Sequence, residues 1–115
     1  MLKRMKRVVL LTLIAFASPA LAAGASNFNL VNGTGAALTQ LSIRRAGTQD
    51  WKPLGTAPSP GARSSMNFSD PDCAFDIRAT VGGSAVTWAG VNLCGAKSVT
   101  LNRDASAGAW VDYDQ

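Results

Sequence analysis

Apolar and polar residues alternate in short runs from about residue 28 to the end of the chain. Phe28 and Leu30 alternate with asparagines, and Leu41 and Ile43 alternate with polar neighbours. This alternation is typical of half-buried β-strands. Turn formers recur about every 8–12 residues, whereas strong helix formers are scarce because the chain contains no Glu. The pattern therefore predicts an all-β domain.

Two of the early strands are expected to be interrupted. Leu38 falls out of register with Leu41 and Ile43, which indicates a β-bulge between them. Pro53 limits the next strand to a short piece, because proline cannot donate a ladder hydrogen bond. The Gly- and Pro-rich residues 55–63 are expected to form the longest irregular stretch.

Further strands follow this irregular stretch and bring the predicted total to about seven. An antiparallel two-sheet β-sandwich is the economical architecture, because a lone sheet would leave one apolar face in water. A small closed barrel is the main alternative. The last strand is expected at a sheet edge. The later strands are predicted around Met66 and Phe68, over 73–81 and 84–94, around Val99 and Leu101, and around Trp110, Val111 and Tyr113.

The strongest local signal is the Gly82-Gly83 pair, which predicts a tight hairpin turn because both central turn residues need a positive φ. A two-residue loop there places the apolar residues of both strands on one face. A register slip of one residue would break this match. The predicted pairs are Val81 with Ser84, Ala79 with Val86, Ile77 with Trp88 and Phe75 with Gly90.

Two cysteines, Cys73 and Cys94, flank this hairpin. The predicted register sets them diagonally, about 7 Å apart in an ideal ladder, whereas a disulfide prefers Cα atoms about 5.5–6 Å apart. We therefore predict a bulge near Gly90 that brings the two cysteines into direct opposition, and a disulfide between them. Metal-bound or catalytic thiols are the alternative, but two cysteines without any His make a poor zinc or copper site.

The first 22 residues have the three parts of a secretory signal peptide. Four cations lie within residues 1–7, an apolar run follows, and Ala20-Leu21-Ala22 supplies the small residues that signal peptidase reads. We predict a signal-peptide helix over 1–22 and a single mature domain over 23–115, periplasmic or secreted. An uncleaved anchor is the alternative, although the apolar run is shorter than the roughly 20 residues of a span. A cut after Ala25 is also possible and would not change these predictions.

The positive charge of the chain belongs to this leader. The full sequence has 11 Lys and Arg against 7 Asp, and the four leader cations account for the difference. The mature domain is therefore neutral and lacks the basic footprint of a nucleic-acid-binding protein. We expect no nucleic-acid partner, and contact with a membrane only during export.

A series of short motifs occurs in order across residues 28–101. They are Asn32-Gly33-Thr34-Gly35 after a Phe-x-Leu-Val strand, Trp51, Leu54-Gly55, Gly61, Phe68, the segment 73–78, Gly82-Gly83, Trp88 and the segment 91–94. Together they resemble a family of small exported proteobacterial proteins that has a two-cysteine β-hairpin and no settled biochemical role. Residues 43–46 depart from that pattern, since relatives have a Tyr-x-Ser-Pro-type turn there. The resemblance implies the fold and supplies no catalytic residues.

Catalysis by the mature domain would have to use Asp, Lys, Ser or Tyr, because it lacks both His and Glu. Ser64, Ser65 and the Lys97-Ser98 pair are conceivable nucleophiles, but neighbours on a strand point to opposite faces. We expect no enzymatic activity and no cofactor. A small hydrolase using Asp or Ser is the least favoured alternative.

Three aspartates, Asp70, Asp72 and Asp76, are weak calcium candidates because they could converge at one end of a sandwich. Calcium takes about six to eight oxygen ligands, and three carboxylates would begin to supply them. The simpler interpretation is an Asp-Pro-Asp turn held by side-chain-to-backbone bonds, with Asp76 pairing with a cation across the sheet. A calcium-stabilised sandwich is the second hypothesis for function.

Two tryptophans, Trp51 and Trp110, are candidates for a ligand or partner surface. Trp51 lies beside a proline in a loop-like segment and Trp110 lies on the terminal strand, whereas the hairpin register places Trp88 in the core. Exposed aromatic side chains commonly anchor partners, although packing in the core is the favoured interpretation of both tryptophans. The favoured hypothesis is an exported, non-enzymatic binding or interaction module that offers loops and one edge strand to an unknown protein or small ligand in the cell envelope.

Overall fold

A computed structural model describes residues 24–114, so the predicted signal-peptide helix lies outside the described residues. Within this range the chain is all-β, as predicted, with eight strands rather than about seven. The strands are β1 (Phe28–Asn32), β2 (Leu38–Arg45), β3 (Lys52–Pro53), β4 (Arg63–Met66), β5 (Ala74–Val81), β6 (Ser84–Asn92), β7 (Ser98–Asp104) and β8 (Gly108–Asp114). A search of the same range for a helix able to cross a membrane found none.

The strands form two four-stranded sheets that share one core, which confirms the predicted sandwich. The first sheet has the order β4-β1-β7-β8 and the second has the order β3-β2-β5-β6. Neighbouring strands are antiparallel except β1 and β7, which are parallel. This parallel pair was not predicted. It arises because the chain crosses between the sheets more than once. After β2 and β3 it returns for β4 on one side of β1, and only after β5 and β6 does β7 add on the other side.

The core forms where the alternating apolar positions of the two sheets meet. Trp88 of β6 is 2% exposed, as its predicted register requires. Its indole Nε1 donates to the carbonyl of Asn102 at 2.8 Å, which links the second sheet to the first. Phe68 lies beyond the end of β4 rather than within it, and its ring packs edge-to-face on Phe28 and Phe75.

Both predicted bulges are present. The bulge in β2 lies between Thr39 and Ser42, and Gln40 within it has a φ of 53°. The bulge in β6 lies at Gly90, which has a φ of 66°. The hairpin register is as predicted from the turn as far as Ile77 and Trp88, whereas beyond the bulge Phe75 pairs with Val91 instead of Gly90.

Cys73 and Cys94 form the predicted disulfide, with their Cα atoms 5.0 Å apart. The expected direct opposition of the two cysteines is wrong, because the bulge shifts the register by only one residue. Cys73 instead accepts a hydrogen bond from the Leu93 N–H at 2.9 Å. The chain just beyond the end of β6 then brings Cys94 within bonding distance.

The first described residues are part of the fold. Ala25 is 4% exposed, donates from its N–H to the Asp72 carbonyl, and accepts from the Asp70 N–H, both at 3.1 Å. A chain cut after Ala25 would lose this buried residue and both hydrogen bonds.

Candidate functional site

The residues that the sequence singled out lie on three separate parts of the surface. Asp70 and Asp72 lie in the turn before β5, Trp51 precedes β3 on the outer face of the second sheet, and Trp110 lies on β8 at the edge of the first sheet. Each place has a different chemistry, so each is described by itself.

Asp70 and Asp72 share one cation, Arg45. Its Nη2 lies 3.1 Å from Asp70 Oδ1 and its Nε lies 3.2 Å from Asp72 Oδ2. Asp70 Oδ1 also accepts from the Asp72 N–H at 2.8 Å, which is the turn predicted from the sequence. That N–H, together with the Arg45 guanidinium, holds the pKa of Asp70 below its ordinary value.

Asp76 lies apart from this turn and is 6% exposed. Its Oδ2 lies 2.8 Å from Arg44 Nε, and its Oδ1 accepts from the Gly90 N–H in the β6 bulge at 3.0 Å. Burial opposes ionisation, but the Gly90 N–H and Arg44 outweigh it, so the pKa of Asp76 lies below its ordinary value. This carboxylate therefore holds the bulge and the β2–β5 pair together.

The three calcium candidates do not come together as a metal site in the described part of the chain. Among residues 24–114 no group of three or more His, Cys, Asp or Glu is placed to hold a metal ion. A groove of about 520 Å³ beside Asp70 has Phe68, Arg45 and Lys52 in its lining. Its charged groups are already paired, Arg45 with the two turn aspartates and Lys52 with Asp50 at 3.8 Å.

Trp51 is half-buried by two arginines. The guanidinium carbon of Arg44 lies 4.5 Å from the ring centroid and that of Arg78 lies 3.9 Å from it. Arg44 reaches the ring from β2 and Arg78 from β5, where the two strands pair. The indole therefore positions arginines rather than offering a bare aromatic surface. No local sequence pattern predicts this cluster, because it depends on pairing between distant strands.

The edge formed by β8 carries the two large hydrophobic residues that are exposed in the described part of the chain, Trp110 at 43% and Tyr113 at 42%. β8 pairs with β7 on one side, and no described strand pairs with its other side. Tyr113 is held in place, since its hydroxyl accepts from the Asn92 N–H at 2.9 Å. Tyr113 was predicted on the edge strand but not as a surface candidate.

The two faces of β8 differ in chemistry. Alternation places Trp110, Asp112 and Asp114 on the outer face of the first sheet. Asp112 accepts from Asn102 Nδ2 at 2.9 Å, which fixes this carboxylate beside the indole. Along the outer face of β8, one aromatic side chain is therefore followed by two carboxylates.

Comparison of the chain with family models, curated proteins and solved structures found no match. Its likeness to small exported proteobacterial proteins stays a prediction. The function is therefore argued from the surfaces described above.

Proposed function

We propose that this protein is an exported, non-enzymatic binding module that captures an extended segment of a partner protein along β8. The observation that supports this most is the unpaired edge of β8 with two exposed aromatic residues. The Cys73–Cys94 disulfide is compatible with an oxidising compartment, and the sequence of residues 1–22 supports export.

An unpaired edge strand offers a row of main-chain N–H and C=O groups to which another strand can add. Proteins usually protect such edges by keeping them short, by bulges, or by Pro and Lys. Three of the four sheet edges are protected in these ways. β3 has two residues including Pro53, β4 has four residues beginning with Arg63, and β6 bulges at Gly90.

β8 lacks the shortness, the proline and the bulge of the other edges, and its charged side chains are the acidic Asp112 and Asp114. It is seven residues long, contains neither Pro nor Lys, and pairs with β7 through seven consecutive residues without a bulge. A regular strand of this length suits the addition of a further strand. We therefore place the partner at β8 rather than at the other edges.

The side chains of β8 indicate the chemistry of the partner. Its outer face carries Asp112 and Asp114, and the strand has no cation. On the same face of the sheet, the cross-strand partners of Trp110, Asp112 and Asp114 on β7 are neutral. They are Asn102, Thr100 and Ser98. Opposite charges on neighbouring strands stabilise their pairing. The partner segment is accordingly an extended stretch in which basic side chains alternate with apolar ones.

A synthetic peptide of alternating Lys and Val, with an alternating Glu and Val peptide as its counterpart, tests this proposal by isothermal titration calorimetry. The basic peptide should bind about tenfold more tightly, since two cross-strand charge pairs each contribute up to about 1 kcal/mol. The double variant Asp112→Lys/Asp114→Lys should reverse the preference. Asp50→Lys makes the same kind of charge change on the second-sheet side and should not reverse it.

Equal affinity for the two peptides would contradict the proposal, as would a reversal produced by Asp50→Lys. Sedimentation velocity tests the competing occupant of the edge, a second copy of this chain. Concentration-dependent dimers that Trp110→Ser abolishes would assign β8 to self-association and overturn the proposed partner.

A further inference from the structure

A shallow cup of about 400 Å³ lies on the outer face of the second sheet. It is lined by Gln40, Ser42, Arg78, Ala79, Thr80 and Ala85. The bulge of β2 lies on its rim, where Gln40 has a φ of 53°. Strained non-glycine residues of this kind cluster at functional sites, where the surrounding structure holds them in place.

Arg78 is the only charged group in the lining of this cup. It lies half-buried on β5 with its guanidinium carbon 3.9 Å from the Trp51 centroid. Its side chain makes no hydrogen bond or ion pair with any residue that the structure describes. A stacked guanidinium uses its flat face on the ring and keeps its N–H groups in the plane, free to donate.

Arg44 contacts the same indole but is already neutralised. It pairs with Asp76 at 2.8 Å, and its Nη1 donates to Gln49 Oε1 at 3.3 Å. Asp76 is therefore not available to Arg78, although it lies only two residues away on the same strand. The stacked pair of arginines thus leaves one positive charge without a counter-ion.

The uncharged neighbours of Arg78 suit an oxyanion. Ser42 and Thr87 lie directly opposite it on β2 and β6. Gln40 accepts from the Thr80 hydroxyl through Oε1 at 3.0 Å, so its amide NH₂ remains a donor. The lining therefore combines a guanidinium fork with an amide donor and no acid that would repel an anion.

We infer that this cup binds a small carboxylate, and that the Arg78 guanidinium donates hydrogen bonds to its oxygens. A guanidinium edge matches the two oxygens of one planar carboxylate, and one free positive charge balances one negative charge. A sulfate or phosphate dianion would need a second free cation. The cup is larger than a bare ion, so the carboxylate belongs to a small organic acid or an acidic sugar. This site is independent of β8.

Titration of the ¹⁵N-labelled protein with sodium glutarate or sodium galacturonate, followed by NMR, tests the inference. The Trp51 indole N–H and the Gln40 side-chain amide should shift and saturate with at least one of the two compounds. The one that binds more tightly distinguishes a free acid from a sugar acid. Sodium sulfate and sodium chloride at equal ionic strength are the reference salts.

Affinity for the carboxylate should fall about tenfold or more in Arg78→Gln, because charge-assisted hydrogen bonds are lost. Arg78→Lys keeps the charge but not the fork, and it should also bind more weakly. Arg63→Gln removes an exposed cation from the first sheet and should bind as the wild type does. Absence of saturable shifts, equal affinity for sulfate, or unchanged binding by a folded Arg78→Gln variant would overturn the inference.

Discussion

The two hairpins of this molecule, β5–β6 and β7–β8, have strands of similar length but different surroundings. The β5 residues that face the core are buried, and the disulfide and Asp76 fix the hairpin at its open end. In β8, by contrast, only Val111 is half-buried and the remaining residues are exposed. Each hairpin pairs an inner strand with an edge strand, but the edge strand β6 buries Trp88 and Val91, whereas the edge strand β8 buries no residue.

A second contrast, between the inner strand β5 and the edge strand β8, follows from position in the sheet rather than from hydrophobic pattern. Val111 and Tyr113 alternate along β8 as Phe75 and Ile77 do along β5, yet Tyr113 is 42% exposed and Ile77 is fully buried. β5 has a partner strand on both sides, whereas β8 has a partner on one side only. The inner position of β5 thus buries Ile77, whereas the edge strand β8 leaves Tyr113 available to a partner.

The largest expected effect is that of Trp88→Ala. Removal of this buried indole should lower the free energy of unfolding by about 3–5 kcal/mol, because it opens a cavity and leaves the Asn102 carbonyl without its donor. Urea denaturation followed by circular dichroism measures this loss, with Trp88→Phe as a milder variant. The matched change Trp110→Ala should cost less than about 1 kcal/mol. Equal losses would remove the contrast between the hairpins.

Removal of the disulfide should have the next largest effect. The double variant Cys73→Ala/Cys94→Ala frees a loop with a sequence separation of 21 residues. The chain-entropy model gives a destabilisation of roughly 3 kcal/mol. The midpoint of urea denaturation measures it, with reduced wild-type protein as the control. A variant as stable as the oxidised protein would show that the bulge and core alone fix this hairpin.

Asp76→Asn tests the ionic support of the β5–β6 hairpin. The substitution should cost about 1–2 kcal/mol at neutral pH, since it weakens the bonds from Gly90 and Arg44. Because the folded pKa of Asp76 is lowered, its contribution is fully present above the ordinary value of 3.8 and is lost as the pH falls through the folded pKa. Thermal denaturation should be measured from about two pH units below the ordinary pKa up to neutral pH. The melting temperature should depend less on pH in the variant than in the wild type. An unchanged pH dependence would assign the acid sensitivity to other carboxyls.

Tyr113→Phe should have the smallest effect. It removes the hydroxyl that accepts from the Asn92 N–H, and Asn92 is solvent-exposed, so we expect a loss of about 0.5–1.5 kcal/mol. Chemical denaturation measures the loss, and Trp110→Phe on the same edge strand is the control. A loss as large as that of Trp88→Ala would show that Tyr113 stabilises the fold as much as a buried core residue does.

Local signals in the sequence predicted the β5–β6 hairpin well. Gly82-Gly83 fixes the turn, and the alternation on either side fixes the register as far as Trp88. The bulge at Gly90 followed from the distance that the two cysteines must span. The terminal position of Trp110 indicates an edge strand, but core packing is the favoured interpretation of its side chain, which is in fact 43% exposed.

Long-range features were not predictable in the same way. The parallel pairing of β1 with β7 depends on the order in which the sheets are built, which no local pattern records. The stacking of Arg78 on Trp51 requires the pairing of β2 with β5 and the approach of the chain before β3. A single sequence shows these residues as scattered charges and one aromatic ring.

The central claim is that β8 is the edge at which a partner strand adds. Amide hydrogen exchange of the protein, measured by NMR with and without the alternating Lys and Val peptide, tests it most directly. Binding of the peptide should slow exchange at alternate amides of β8 and leave the amides of β3, β4 and β6 unchanged. Protection at β6 or β4 with β8 unchanged would contradict it.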